Sequence, residues 1–332
     1  MIFFDPKVYA FHVEGHHASE VVAVSTSNRQ VKIYNVNSAA LVGELNGHAA
    51  AITGIKCDRK NPNIVVSSSE DKTIKVWDIR SSQMIVEYQG TDPFYSCLIE
   101  ENYVIGGSKG EISVWALDSQ RKLFCYKDFH KEEVTQLEVS PAEPSTLYSG
   151  GYDGLFLMSD LNERNEDDAL INVINLNTSI QRMGIFGLNN EFVYVLSPTE
   201  QLQIWNVESN TLVVDYGFEF RDTLSSLCNE QIDYMIGCDY NVMEDELLLF
   251  AGSFSGQVFI FRIQGDLVTY LGKWQEHEAV VRDVYCSLDR RFAVSVGEDS
   301  KIVFWGGQER RPSMKGLKSV RHANPASRKS PY

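Results

Sequence analysis

The 332-residue sequence has no long apolar run. Its apolar stretches fall far short of the roughly 20 residues that a membrane-spanning helix needs. The N-terminus also lacks a basic segment followed by an apolar core, so no secretory signal is expected. Paired cysteine spacing is missing too. Cys57, Cys97, Cys125, Cys228, Cys238 and Cys286 form no CxxC motif and sit mostly on or beside strand-like segments. That pattern points to reduced, buried thiols rather than disulfides or zinc. Metal-ligand spacing, a nucleophile motif and a phosphate-cradling glycine loop are all absent from the sequence. We therefore expect no catalytic residue, no metal, no cofactor and no enzyme, in an intracellular protein of the nucleus, the cytoplasm or both.

Positive charge is scarce over most of the chain and gathered at one end. Lys and Arg number 30 against 45 Asp and Glu, a formal net charge of −15. Residues 307–332 carry seven basic residues (Arg310, Arg311, Lys315, Lys318, Arg321, Arg328 and Lys329) and one acidic residue, Glu309, which leaves −21 on residues 1–306. This tail is rich in Pro, Ser and Gly and is expected to be disordered. An acidic body repels nucleic acid and attracts basic partners, such as Arg-rich peptides or the basic extensions of chromatin and ribosomal proteins. The tail fits an import signal, an RNA contact or a solubilising end.

What the chain does have is a beat. The segments VKIYNV, IKVWDI, ISVWAL, FLMSDL, LQIWNV, VFIFRI and IVFWGG carry a marker residue at Tyr34, Trp77, Trp115, Ser159, Trp205, Phe261 and Trp305. The intervals are 43, 38, 44, 46, 56 and 44 residues. A period of about 40 to 45 residues built from short strands marks a β-propeller blade. We expect an all-β fold, a single seven-bladed propeller of four-stranded antiparallel blades over residues 1–306, followed by the tail at 307–332. The apolar N-terminal MIFFD is the candidate strand that closes the ring and removes its free edge.

These units resemble WD repeats from about residue 7 to residue 306. The best of them opens at Gly47-His48 and closes with SSSEDKTIKVWD. The resemblance implies a structural tetrad of His48, Ser67, Asp71 and Trp77, and a second of His277, Ser295, Asp299 and Trp305, with Glu276 in place of the usual Gly. A catalytic relay is the weaker reading of the same residues, because the family uses the spacing as a staple. The fourth unit keeps His130, Ser149 and Asp153 but has Ser159 for Trp. Lys109, Thr199 and Phe261 break the pattern in the third, fifth and sixth units, which must rest on strand packing. Three stretches, NEDDALINVINLNTSIQRM, DYMIGCDYNVMEDELLLFAGSFSGQVFIF and HEAVVRDVYCSLDRRFAVSVGEDSKIVFW, resemble one eukaryotic seven-bladed group of the family. That likeness implies a nuclear or nucleolar adaptor rather than an enzyme.

In this fold the d–a connections and the b–c turns share one face around the channel mouth. Candidate partner-binding residues on it are Phe94, Tyr95, Lys109, Tyr152, Arg182 and Phe254, although Phe94 and Tyr95 fit equally well as the start of a buried strand. Two insertions interrupt the beat. Residues 162–168, NERNEDD, suit a solvated loop, whereas 218–233 contain DTLSSLCNEQ, where Asp222 is placed to cap a helical turn. The second insertion is the candidate for a partner-specific contact. Trp77-Asp78-Ile79-Arg80 fits the WDxR box of propellers that act as substrate receptors of cullin-4-type ubiquitin ligases, which would assign Arg80 to docking on the adaptor. The FRRG signature of phosphoinositide-binding propellers is not supplied by Phe261-Arg262-Ile263 or by Asp289-Arg290-Arg291-Phe292, so no membrane partner is expected. Two readings result: a monomeric, non-catalytic scaffold for a basic protein or peptide in ribosome assembly or chromatin, or a ligase receptor. Nucleic acid would be reached only through the tail.

Overall fold

A computed structural model describes residues 1–3, 7–16, 19–140, 143–287, 291–306 and 318–321. The chain opens with β1 (Ile2–Phe3). Blade 1 follows as β2 (Ala10–Gly15), β3 (Val21–Thr26), β4 (Gln30–Asn35) and β5 (Ala40–Asn46). Blade 2 is β6 (Ile52–Cys57), β7 (Ile64–Ser69), β8 (Thr73–Asp78) and β9 (Gln83–Gln89). Blade 3 is β10 (Ser96–Glu100), β11 (Tyr103–Gly107), β12 (Ile112–Ala116) and β13 (Lys122–Tyr126). Blade 4 comprises β14 (Val134–Val139), β15 (Thr146–Gly151), β16 (Leu155–Asp160), a short helix α1 (Glu166–Ala169) and β17 (Leu170–Asn175). Blade 5 is β18 (Arg182–Phe186), β19 (Phe192–Leu196), β20 (Leu202–Asn206) and β21 (Thr211–Asp215), after which comes α2 (Phe220–Cys228). Blade 6 is β22 (Tyr234–Asn241), β23 (Glu246–Gly252), β24 (Gln257–Gln264) and β25 (Leu267–Gln275); blade 7 is β26 (Val281–Cys286), β27 (Phe292–Gly297) and β28 (Lys301–Gly306). Each blade is an antiparallel meander, and the first strands of neighbouring blades touch in a closed ring, so the molecule is a seven-bladed propeller.

Burial explains the strand sequences. Middle strands are covered on both faces by adjacent blades, so β7, β12 and β15 are buried at every position and read as continuous apolar or small-residue runs. Outer strands such as β9 bury only alternate residues near one end. In blades 1–6 the pairing of the third and fourth strands slips by a bulge at the marker residue, from Tyr34 to Phe261. The bulge increases local twist and lets a large side chain turn into the inter-blade space.

β1 pairs with β28, setting Ile2 opposite Ile302, and supplies blade 7 with its fourth strand. Of the MIFFD segment, Phe4 and Asp5 lie outside the described residues. Within the tail, β29 (Ser319–Arg321) adds a fifth strand to blade 6, outside β25. The rest of residues 307–332, apart from Lys318, lies outside the described residues. Among the described residues no helix is long and apolar enough to cross a membrane.

Candidate functional site

The tetrads join the connection into a blade to the hairpin of that blade's second and third strands. His48 lies on the connection into blade 2, Ser67 on β7, Asp71 in the following turn and Trp77 on β8. His48 Nδ1 meets Asp71 Oδ2 at 2.9 Å, His48 Nε2 meets Ser67 Oγ at 2.8 Å, and Trp77 Nε1 donates to the same Oγ at 2.9 Å. Burial holds His48 below its ordinary pKa, so the ring is neutral. Burial alone would raise Asp71, but hydrogen bonds from Thr73, the Ala49 N–H and His48 bring it down to about 2. Blade 7 repeats the geometry, with His277 on Asp299 at 2.9 Å and on Ser295 at 2.8 Å, and Trp305 on Ser295 at 2.8 Å. Both serines are fully buried. A substrate cannot reach those hydroxyls, and the arrangement ties a loop to a hairpin.

The departing blades solve the same problem differently. In blade 4 His130 bonds Asp153 at 3.1 Å and Ser149 at 2.9 Å, but the buried Ser159 hydroxyl, which replaces the Trp, has no hydrogen-bond partner among the described residues. Blade 5 uses an amide network, in which Gln201 and Gln203 both donate to Asp215 and Trp205 Nε1 donates to Gln203 Oε1 at 3.0 Å. Nothing in the WD pattern points to that substitute. In blade 3, Trp115 packs between Tyr88 (5.2 Å) and Phe94 (5.9 Å).

That last contact corrects one candidate. Phe94 is only 1% exposed, because its ring fills space left by Gly90 and Gly106, and a Cβ on either glycine would come within 3 Å of it. Tyr95 is partly covered, while Lys109 is exposed and pairs with Glu132 at 3.5 Å. Tyr152 is 42% exposed and Phe254 66%. Arg182 reaches the channel mouth but is committed there: Nη1 pairs with Asp283 Oδ1 at 2.8 Å and Nη2 donates to the Arg282 carbonyl at 3.1 Å. Arg80 is also engaged, its Nε and Nη2 gripping the two oxygens of its own Asp78 at 3.1 and 2.8 Å.

The 218–233 insertion and Phe254 meet at a cleft of about 670 Å³, lined by Arg221, Asp222, Ser225, Ser226, Asn229–Asp233 and Phe254. The helix begins before Asp222, which lies in its first turn rather than capping it; Glu219 stands at the N-cap and Asn229, at φ 59°, closes the C-terminus. Phe220, Leu224 and Leu227 are buried and anchor α2 to the core between blades 5 and 6. Its polar side faces the cleft. Asp233 fixes the wall by accepting from Phe254 N at 2.7 Å and Gln231 Nε2 at 2.7 Å. Phe254 lies on Tyr234 with ring centroids 6.0 Å apart.

A sequence profile described as "WD domain, G-beta repeat" matches residues 39–78 and 268–306, the two stretches that end at Asp78 and Gly306. A protein of Dictyostelium discoideum, WD repeat-containing protein 89 homolog, is 31% identical over 286 residues, which cover 86% of this chain and 79% of that protein. The chain belongs to the WD-repeat family. WD repeat-containing protein GTS1 of Arabidopsis thaliana is 28% identical over 321 residues, covering 91% of this chain and 82% of that protein. A chain in the crystal structure of the Mitotic Checkpoint Complex superposes with a TM-score of 0.72 at 15% identity, covering 92% of this chain and 93% of that one; this is a likeness of fold.

The channel of this WD-repeat propeller holds a charged lining that periodicity alone does not reveal. Asp283 of blade 7 takes Arg182 from blade 5 and, through Oδ2, the Val13 N–H of blade 1 at 3.0 Å. Lys56 stands 3.9 Å from Glu14, and Glu138 accepts the Ile185 N–H at 3.1 Å. Burial raises Glu14, Glu14 in turn raises Lys56, and burial lowers His12 to about 4. The signal for these residues was polar positions on the first strand of each blade, visible only once those strands are known to line an axis. Among the described residues no three His, Cys, Asp or Glu side chains gather to hold a metal.

Proposed function

We propose that this WD-repeat propeller is a non-catalytic scaffold that binds a basic protein segment at the cleft between α2 and the Phe254 turn, within the nucleus or cytoplasm. Propellers of this family generally serve as protein-interaction platforms. The observation that carries the reading is the cleft itself, where a mostly exposed aromatic ring stands beside Asp222, Glu230 and Asp233. Cationic side chains suit such a wall, stacking on the ring and pairing with the carboxylates. A body of −21 adds long-range attraction for the same partner. Ribosome-assembly and chromatin proteins, whose basic extensions match this chemistry, are the partner classes we favour.

The test is binding of a fluorescent Arg-rich peptide by anisotropy. Phe254→Ser and Asp222→Asn should each weaken it about tenfold, or about 1.4 kcal/mol, and raising salt from about 50 to about 300 mM should weaken it further. Binding indifferent to both substitutions and to salt would overturn the reading. The alternative, a ubiquitin-ligase receptor, has its own outcome: cullin and adaptor captured by the tagged chain and lost with Arg80→Ala. The grip of Asp78 on Arg80 disfavours it, since docking must first break that pair.

A further inference from the structure

The basic tail folds back on the body at one place. Leu267, Val268 and Thr269 of β25 face Arg321, Val320 and Ser319 of β29, and the Tyr270 N–H donates to the Lys318 carbonyl at 2.9 Å. In the alternation of an antiparallel ladder, Val268 and Val320 then form the next hydrogen-bonded pair. Val320 leans on the apolar cluster that contains Val268, whereas Ser319 and Arg321 face solvent. Beyond the ladder stands the end of α2: when the Asn229 amide is turned so that its nitrogen donates to the Ser226 carbonyl, its oxygen is the acceptor for Lys318 Nζ. Asn229 is the C-cap of that helix, so the ammonium sits at the negative end of the helix dipole.

We propose that the outer edge of blade 6 is a slot for an extended basic protein segment and that Lys318–Arg321 is its resident occupant, held in cis until a partner segment of like chemistry displaces it. The slot reads three things. The exposed backbone of β25 takes a strand, a notch over Val268 takes a β-branched side chain, and the C-terminus of α2 takes a Lys or Arg two residues before it. Backbone pairing supplies affinity and the two pockets supply selectivity. Among the described residues the resident makes three ladder pairs and one further backbone bond, to Tyr270, and buries one side chain in part, so it is easily displaced. Tethering on the same chain is what lets it hold the slot against dilute competitors. The slot shares Asn229 with the lining of the cleft at the Phe254 turn but lies against β25, and its strand pairing stands without the reading above.

The experiment uses the full chain and a fluorescent peptide of residues 316–324 added in trans. Val320→Asp in the chain should eject the resident, so that the peptide binds the variant at least about tenfold tighter than the unaltered chain. An N-methyl group on the peptide's Val320 nitrogen should abolish binding, and Lys318→Glu in the peptide should weaken it about tenfold. Hydrogen exchange at the Tyr270 amide gives an independent readout: slow in the unaltered chain, fast in the variant, slow again with peptide. A Tyr270 amide equally protected in both chains, or a peptide that fails to bind the variant, overturns the proposal.

Discussion

Two buried serines show how the same residue type takes opposite roles in one molecule. Asp71 can only accept, so the proton of His48 lies on Nδ1, and Ser67 donates to Nε2 while accepting from Trp77. Ser67→Ala would strand the indole N–H and the imidazole nitrogen in the core, and should cost about 2 kcal/mol. Ser159 Oγ is buried with no hydrogen-bond partner among the described residues. Its replacement by Ala removes an unmet group, and should be neutral or stabilising by up to about 1 kcal/mol. Urea midpoints at constant slope would decide both, and destabilisation of equal size in the two variants would refute the distinction. The missing Trp was legible in the sequence; the orphaned hydroxyl was not, because it depends on what fills the neighbouring space. Phe94 teaches the same lesson, since Gly106 on β11, together with Gly90 in its own connection, leaves the space into which it points.

Among the elements, the beat of marker residues located every blade, and in blades 1–6 the marker sits at a bulge between the third and fourth strands. The one long interval located α2, but its start was misplaced: the buried Phe220 draws the helix back to Glu219, which makes no side-chain cap. Closure of the ring belongs to β1 (Ile2–Phe3). Ile2 packs on the cluster of blades 1 and 7 that includes Ile302. Ile2→Asp should therefore cost about 1 to 2 kcal/mol and speed amide exchange in β28 before any strand of blades 2–5. Uniform acceleration across all blades would show that the closure is not a local latch.

For the whole molecule, the channel sets the response to acid. His12 is lowered to about 4 by burial, with Arg182 and Lys56 adding to the effect against the pull of Asp283; His48 is lowered by burial as well. A histidine whose folded pKa lies below its unfolded value of 6.5 stabilises the fold fully above pH 6.5, and that stability is lost as pH falls toward the folded value. Asp71, down to about 2 from 3.8, adds a further loss below pH 3.8. Glu14 is raised and acts with the opposite sign, its contribution growing as pH drops. Stability should thus decline from pH 6.5 downward by at most about 1.4 kcal/mol per unit for each lowered histidine. His12→Gln should flatten that slope between about pH 6.5 and about pH 5, as read from urea midpoints across the range. A variant whose slope matches the unaltered chain would remove His12 from the account.

By itself the sequence determined the class of fold, the number of blades, the two full tetrads and the places where the beat breaks. These follow from periodicity and from short-range hydrogen bonding, which local residue order controls. Tertiary structure decided which aromatics face solvent, that Arg182 spans the channel to Asp283, and that a strand of the basic tail closes on blade 6. The last two depend on residues about 50 to 100 positions apart meeting, and such meetings are settled by packing and electrostatics rather than by any pattern along the chain.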